Sequence, residues 1–152
     1  SFISYSGNYI LHSWEGINNN IFGIFVVNSK TNISDIAILI KVEDFDSGNS
    51  NRDSHALEVL ESLKYPQIRF YSDDIKYVKD EIEIFGKLTF FGKSLEKIIY
   101  SEIKFQENRI LLKGNFDLIL SDFGVKLPSF LGVKIDDLIK ISFKIEVNKD
   151  KI

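Results

Sequence analysis

The chain has 152 residues, is 44% hydrophobic and 27% charged, and carries a net charge of −3. At this size folding withdraws roughly 70% of the unfolded chain's surface from water, so disorder is excluded, and the acidic balance argues against a general nucleic-acid binder. No apolar run approaches the roughly 20 residues of a membrane span, and the lack of Cys removes disulfides, thiolate metal sites and Cys nucleophiles. The 23 Ile and 13 Phe stand against only 2 Ala. Branched and aromatic residues suit a pleated, half-buried surface, whereas Ala is the best helix former. A β protein is expected. With no repeat, linker or low-complexity block, a single domain over residues 1–152 is expected as well. The chain opens at Ser1 with neither Met nor an apolar leader. It is therefore read as processed, and any export signal would lie outside it.

In chain order, a strand over Tyr9–Glu15 leads to a polar turn at Gly16–Asn20, and a second strand follows over Ile21–Asn28. Ile36, Ile38, Ile40 and Val42 then alternate with Ala37, Leu39, Lys41 and Glu43, a period of two. Within Arg52–Leu63 the apolar residues Leu57, Leu60 and Leu63, with Ala56 and Val59, fit a helix. Asn51, Asp53 or Ser54 would cap its start, and Pro66 bars continuation. Ile68 and Phe70 resume the strand pattern, followed by Ile82, Ile84, Leu88 and Phe90. Ser94–Phe105 fits both a helical stripe (Leu95, Ile98, Ile99, Ile103) and a strand (Ile99, Ser101, Ile103, Phe105). Ile110, Leu112, Phe116 and Leu118 make one further strand, and Ile139, Ile141, Phe143, Ile145 and Val147 the last. Each has one apolar face and one wet face, as an antiparallel sheet or barrel requires.

Two motifs fall short of their chemistry. Gly86–Ser94 reads GKLTFFGKS, but a phosphate-cradling loop needs four residues between its glycines, and here there are five. Asp44–His55 reads DFDSGNSNRDSH, yet Gly48 falls at the fifth position of a calcium loop instead of the sixth, and His55 replaces the bidentate Glu. A turn that feeds and caps the helix explains it better. His12 and His55 are the only histidines and lack the spacing of a metal site. His12, beside Trp14, is expected to be a packed or surface imidazole. His55, with Arg52 and Asp53, is either a hydrogen-bonded cluster fixing the loop–helix junction or the polar rim of a pocket. No G-x-S-x-G elbow presents a serine. A barrel of about eight strands either fills its interior with side chains or holds one small apolar ligand, and patterning leaves both open.

Several segments together resemble the YceI-like family. They are Asp46-Ser47-Gly48-Asn49, Arg52-Asp53-x-His55, Leu63-Lys64-Tyr65-Pro66-x-Ile68-x-Phe70, Gly86-Lys87-Leu88-Thr89-Phe90-Phe91-Gly92, Asp122-Phe123-Gly124 and the closing strand Asp137–Val147. Phe91 stands where that family usually has His, and His12-Ser13-Trp14-Glu15-Gly16 matches a divergent branch. The resemblance implies an all-β, lipocalin-like antiparallel barrel of about eight strands with one short helix, and it favours strand over Ser94–Phe105. It implies non-enzymatic binding, transport or storage of a long-chain amphiphile, such as a polyisoprenoid or isoprenoid quinone, inside the barrel. It also implies a bacterial, periplasmic or secreted protein with no cofactor, and is compatible with a homodimer; no catalytic residue is carried over. On this reading Ile38, Ile40, Phe70, Ile84, Leu88, Phe90, Phe116, Leu118, Ile141 and Phe143 line the ligand space. Arg52, Asp53 and His55 stand at its mouth. The competing classes are a side-chain-filled barrel acting as an interaction module, and an enzyme acting on a lipid. A continuous cavity would mark the first reading, and a polar group deep within it the last.

Overall fold

Alternating branched and polar residues give strands β1 (Phe2–Tyr9), β2 (His12–Asn18), β3 (Ile21–Val27) and β4 (Ile33–Lys41). Helix α1 (Ser50–Val59) follows, then β5 (Gln67–Val78), β6 (Glu81–Phe90), β7 (Lys93–Gln106) and β8 (Arg109–Ile119). Two short strands, β9 (Ser129–Phe130) and β10 (Val133–Lys134), pair with each other, and β11 (Leu138–Asn148) ends the order. The computed structural model describes residues 1–9, 12–28, 32–126, 129–130, 133–134 and 137–148.

Nine strands form one sheet in the order β2-β1-β11-β8-β7-β6-β5-β4-β3, antiparallel throughout. The sheet curls into a half-barrel. Nine strands make eight reversals from edge to edge, an even number, so the edge strands β2 and β3 run the same way along the sheet. They are successive in the chain. The chain therefore bends at Asn19–Asn20 and continues, and the two edges act as the halves of one bent strand. Asn18 makes the corner. It is fully buried, its amide nitrogen donates to the Lys41 carbonyl at 3.2 Å, and its amide oxygen accepts from the Asn20 N–H at 2.8 Å. Buried with both polar ends satisfied, it ties the bend to the end of β4. Beside it, Ile17 and Asp46 exchange two backbone hydrogen bonds of 2.9 Å.

The start of the chain differs from expectation. Phe2–Tyr9 is a strand, and Gly16–Asn18, expected in a turn, belong to β2. Gly16 is there because Tyr5, its partner across the ladder, folds its ring over it. Helix α1 is shorter than its leucine stripe. Glu61 adopts a left-handed φ of 47°, the Ser62 N–H reaches the Leu57 carbonyl at 3.0 Å, and the Glu61 N–H reaches Glu58 at 3.1 Å. This paired closure ends the helix at Val59 and leaves Leu63 fully exposed. Asn49 is the N-cap instead of Asn51, Asp53 or Ser54, its side chain accepting from the Arg52 N–H at 3.1 Å. Ser94–Phe105 is strand. The near-match to a phosphate loop is the β6–β7 hairpin, with Phe91 and Gly92 at φ 53° and 74°. Positive φ at both central residues suits a tight two-residue turn.

Packing is densest at the end of the barrel away from α1. Ile33, Ile82, Ile103 and Ile110 are at most 4% exposed there. Tyr77 reaches between them, its hydroxyl oxygen accepting the Ile33 N–H at 2.6 Å. Burial raises the Tyr77 phenol above its ordinary 10.0, partly opposed by that hydrogen bond.

Candidate functional site

Above this packed layer the interior is empty. A cavity of about 450 Å³ lies between the walls, within the roughly 300–1,000 Å³ typical of ligand pockets. None of Ile33, Ile82, Ile103 and Ile110 is among its lining, so among the described residues it is blind at that end, and the expected cavity running continuously through the barrel is replaced by one that stops at this packed layer. At the other end α1 lies across it, contributing Ala56, Leu57, Val59 and Leu60 to the lining. No residue of α1 is buried.

Three inward-facing glycines keep aromatic rings against the walls. A Cβ on Gly114 would stand 2.8 Å from Phe143, its ladder partner, and one on Gly86 would stand 2.6 Å from Phe70. A Cβ on Gly16 would strike the Tyr5 ring. Without those Cβ atoms each ring lies over its glycine, and the middle of the barrel stays open.

All thirteen residues singled out in the sequence border this cavity. Ile38, Ile40, Phe70, Ile84, Leu88, Phe90, Phe116, Leu118, Ile141 and Phe143 line its walls, and Arg52, Asp53 and His55 stand at the α1 end. The expected hydrogen-bonded cluster of the last three is not formed: among the described residues no hydrogen bond joins their side chains. Asp53 instead holds the loop, its two carboxylate oxygens accepting from the Ser47 N–H at 3.3 and 3.2 Å. Asp46 receives the Gly48 N–H at 2.8 Å, completing the turn that had mimicked a calcium site. Among the described residues no group of three His, Cys, Asp or Glu side chains could hold a metal. The His12 side chain and Trp14 lie outside the described side chains. Phe91 does not reach the cavity; its ring packs on Tyr65 at 4.8 Å.

Tyr5 escaped the sequence reading. It joins the mouth, with its ring 5.4 Å from Phe45. Burial raises its phenol above 10.0; the Asp53 charge adds to this, Arg52 opposes it and Asp46 adds again. The alternation of Ile3 and Tyr5 with Ser4 and Ser6 was the available cue. Among the described residues every polar lining side chain (Tyr5, Arg52, Asp53 and His55) comes from β1 or α1, and the remaining lining is apolar. Such a site withdraws hydrocarbon from water over its length and meets polar groups only at the top.

The sequence matches the YceI-like domain family over residues 1–147. The proteins named YceI of Salmonella newport strain SL254 and Escherichia coli O157:H7 are each 29% identical over 96 residues. The match covers 60% of this chain and 50% of theirs, so the chain spans about half the length of these curated relatives. Among solved structures, Burkholderia cenocepacia BcnA superposes with a TM-score of 0.86 at 18% identity, over 97% of this chain and 96% of that one. A polyisoprenoid binding domain from Saccharophagus degradans, implicated in plant cell wall breakdown, gives 0.77 at 9% identity, over 97% and 92%. A Campylobacter jejuni YceI protein gives 0.76 at 19%, over 88% and 83%. At these identities the likeness shows the fold.

Proposed function

The chain belongs to the YceI-like domain family, and from that premise we propose that it binds the apolar chain of a long amphiphile, an isoprenoid or similar lipid, inside the half-barrel. The observation that carries this reading is the blind, apolar cavity of about 450 Å³ under α1. Each methylene withdrawn from water contributes about 0.8 kcal/mol, and association costs at least ~4 kcal/mol, so micromolar affinity requires roughly 15 or more methylene equivalents. Isoprenoid chains of four or more units supply that hydrocarbon. The polyisoprenoid binding described for the Saccharophagus degradans domain supports the same ligand class.

The thirteen residues above are the proposed contacts, ten along the walls and Arg52, Asp53 and His55 at the mouth. The role is carriage or storage without chemistry on the ligand. It is supported by a lining whose polar side chains, among the described residues, all come from β1 and α1. Export to the bacterial periplasm belongs to the same proposal. The test is native mass spectrometry of the purified protein after incubation with isoprenoid alcohols and quinones, followed by lipid extraction. One lipid per chain is expected. Protein that stays empty after exposure to every class of long-chain lipid would overturn the reading.

A further inference from the structure

Halfway along the wall, β7 and β8 part. Their pairing runs from Gln106–Arg109 to Ser101–Gly114 and stops. Their outer partners continue: β6 pairs with β7 up to Phe90–Lys93, and β11 with β8 up to Leu138–Ile119. Toward the α1 end, residues 93–100 and 115–119 therefore face one another across a split with no strand pairing among the described residues.

Lysines span this split. Lys97 lies on the inward row of β7 with Leu95, Ile99, Ser101 and Ile103, directly opposite Gly86. It is half-buried, its Nζ donates to the Asp117 carbonyl at 2.5 Å, and it lies 5.4 Å from the centre of the Phe116 ring, part of the cavity lining. Lys93, on the same row, donates to the Asp122 carbonyl at 2.7 Å. Among the described residues neither is in an ion pair; the one pair there joins Arg109 and Glu146. An ammonium has three donors, so each lysine keeps donor capacity beyond its carbonyl. Lys97 is only half-buried and Lys93 is exposed, and neither lines the cavity itself, so both ammonium groups stand at the opening of the split, where an anion can reach them beside Phe116. At the α1 mouth, by contrast, one residue of each charge, Arg52 and Asp53, borders the cavity.

We propose that the split is a lateral anion site: Lys97, assisted by Lys93, receives the phosphate or carboxylate of an amphiphile whose chain enters the cavity beside Phe116. This rests on the reading of the cavity as a site for an apolar chain. The test compares geranylgeranyl monophosphate, geranylgeraniol and inorganic phosphate by titration calorimetry on the whole chain. Charge-assisted hydrogen bonds lead to the expectation that wild type binds the monophosphate roughly tenfold or more tightly than the alcohol. Lys97→Met abolishes that preference and leaves alcohol binding intact; Lys97→Arg keeps it; Lys93→Met reduces it partly. Inorganic phosphate alone gives no saturable heat. If it does, and Lys97→Met removes that heat, the anion site stands and belongs to a free phosphate. Equal binding of both lipids by wild type, or a preference retained in Lys97→Met, overturns the proposal while the cavity reading stands. Failure of both lipids to bind removes both. Should Lys97→Met not fold, wild type decides: the preference must shrink as salt rises, and a salt-independent preference contradicts the site.

Discussion

At one end of the barrel Ile33, Ile82, Ile103 and Ile110 fill the interior until almost none of their surface meets water. At the other, Ile38, Ile40, Phe116 and Ile141 point into the same interior and border empty space under a helix that buries none of its residues. Branched residues alone do not separate the two ends, since Ile faces the interior at both. What separates them is geometry across the ladders. At the filled end branched side chains of neighbouring strands interdigitate. In the open half, rings lie over Gly16, Gly86 and Gly114, and a helix lies across the top in place of a packed layer. The closed end holds the fold together, and the open end is where stability was given up for space.

This contrast is tested most strongly by truncation at each end. Ile82→Ala should cost about 2–5 kcal/mol, because a fully packed site must open a void. Ile38→Ala should cost about 1–2 kcal/mol, since its neighbours already face empty space. Urea midpoints measure both, and equal costs would mean that the two ends are packed alike. Next come the glycines. A Cβ on Gly114 meets the Tyr100 carbonyl oxygen at 2.5 Å as well as Phe143, so neither neighbour yields freely. Gly114→Ala should lose about 1–3 kcal/mol and drive Phe143 into the cavity. Gly16→Ala meets only the end of the Tyr5 side chain, which can swing away. It should be the milder change in midpoint, read together with lipid occupancy.

Effects on the helix are smaller. Asn49→Ala removes the cap and should cost about 1 kcal/mol, while Glu61→Gly relieves a left-handed residue and should gain up to about 1 kcal/mol. Because no residue of α1 is fully buried, both should alter the lipid off-rate more than the urea midpoint, in opposite directions. The weakest effect is alkaline. Tyr77 at the closed end and Tyr5 at the mouth both have phenols raised above 10.0, chiefly by burial. A raised folded value means that the neutral phenol is favoured in the fold. Their contribution is therefore fully present below the unfolded value near 10 and is lost as pH rises through the folded values. Asp53→Asn removes a charge that raises Tyr5, so phenolate absorbance should show Tyr5 titrating lower and Tyr77 unchanged.

Much of the architecture was legible because a period of two marks a strand with one buried face. Strands β4, β5, β6, β8 and β11 carry that mark, and ten lining residues follow from it; Arg52, Asp53 and His55 came instead from the polar cluster at the start of α1. The resemblance, not the local pattern, pointed Ser94–Phe105 toward strand, because Leu95, Ile98 and Ile99 satisfy both periods. β1 stayed hidden because Gly7 and Asn8 cut short the alternation of Ile3 and Tyr5 with Ser4 and Ser6. The end of α1 was misjudged because a leucine stripe continues to Leu63, while the stop comes from the backbone conformation of Glu61, a residue type that rarely adopts it. The blind end and the split between β7 and β8 depend on how far each ladder runs. No single strand's sequence encodes that.

The claim that the open half holds hydrocarbon is tested most directly at Leu118, a cavity-lining side chain 8% exposed. Native mass spectrometry after incubation with isoprenoid lipid, and urea denaturation of the lipid-free proteins, would be run together on wild type and Leu118→Trp. If the cavity takes the lipid chain, the indole occupies that space: bound lipid should fall steeply, while the stabilities of the lipid-free proteins stay within about 0.5 kcal/mol of each other. Loss of about 1–3 kcal/mol with no lipid on either protein, the mark of overpacking a filled interior, would contradict it.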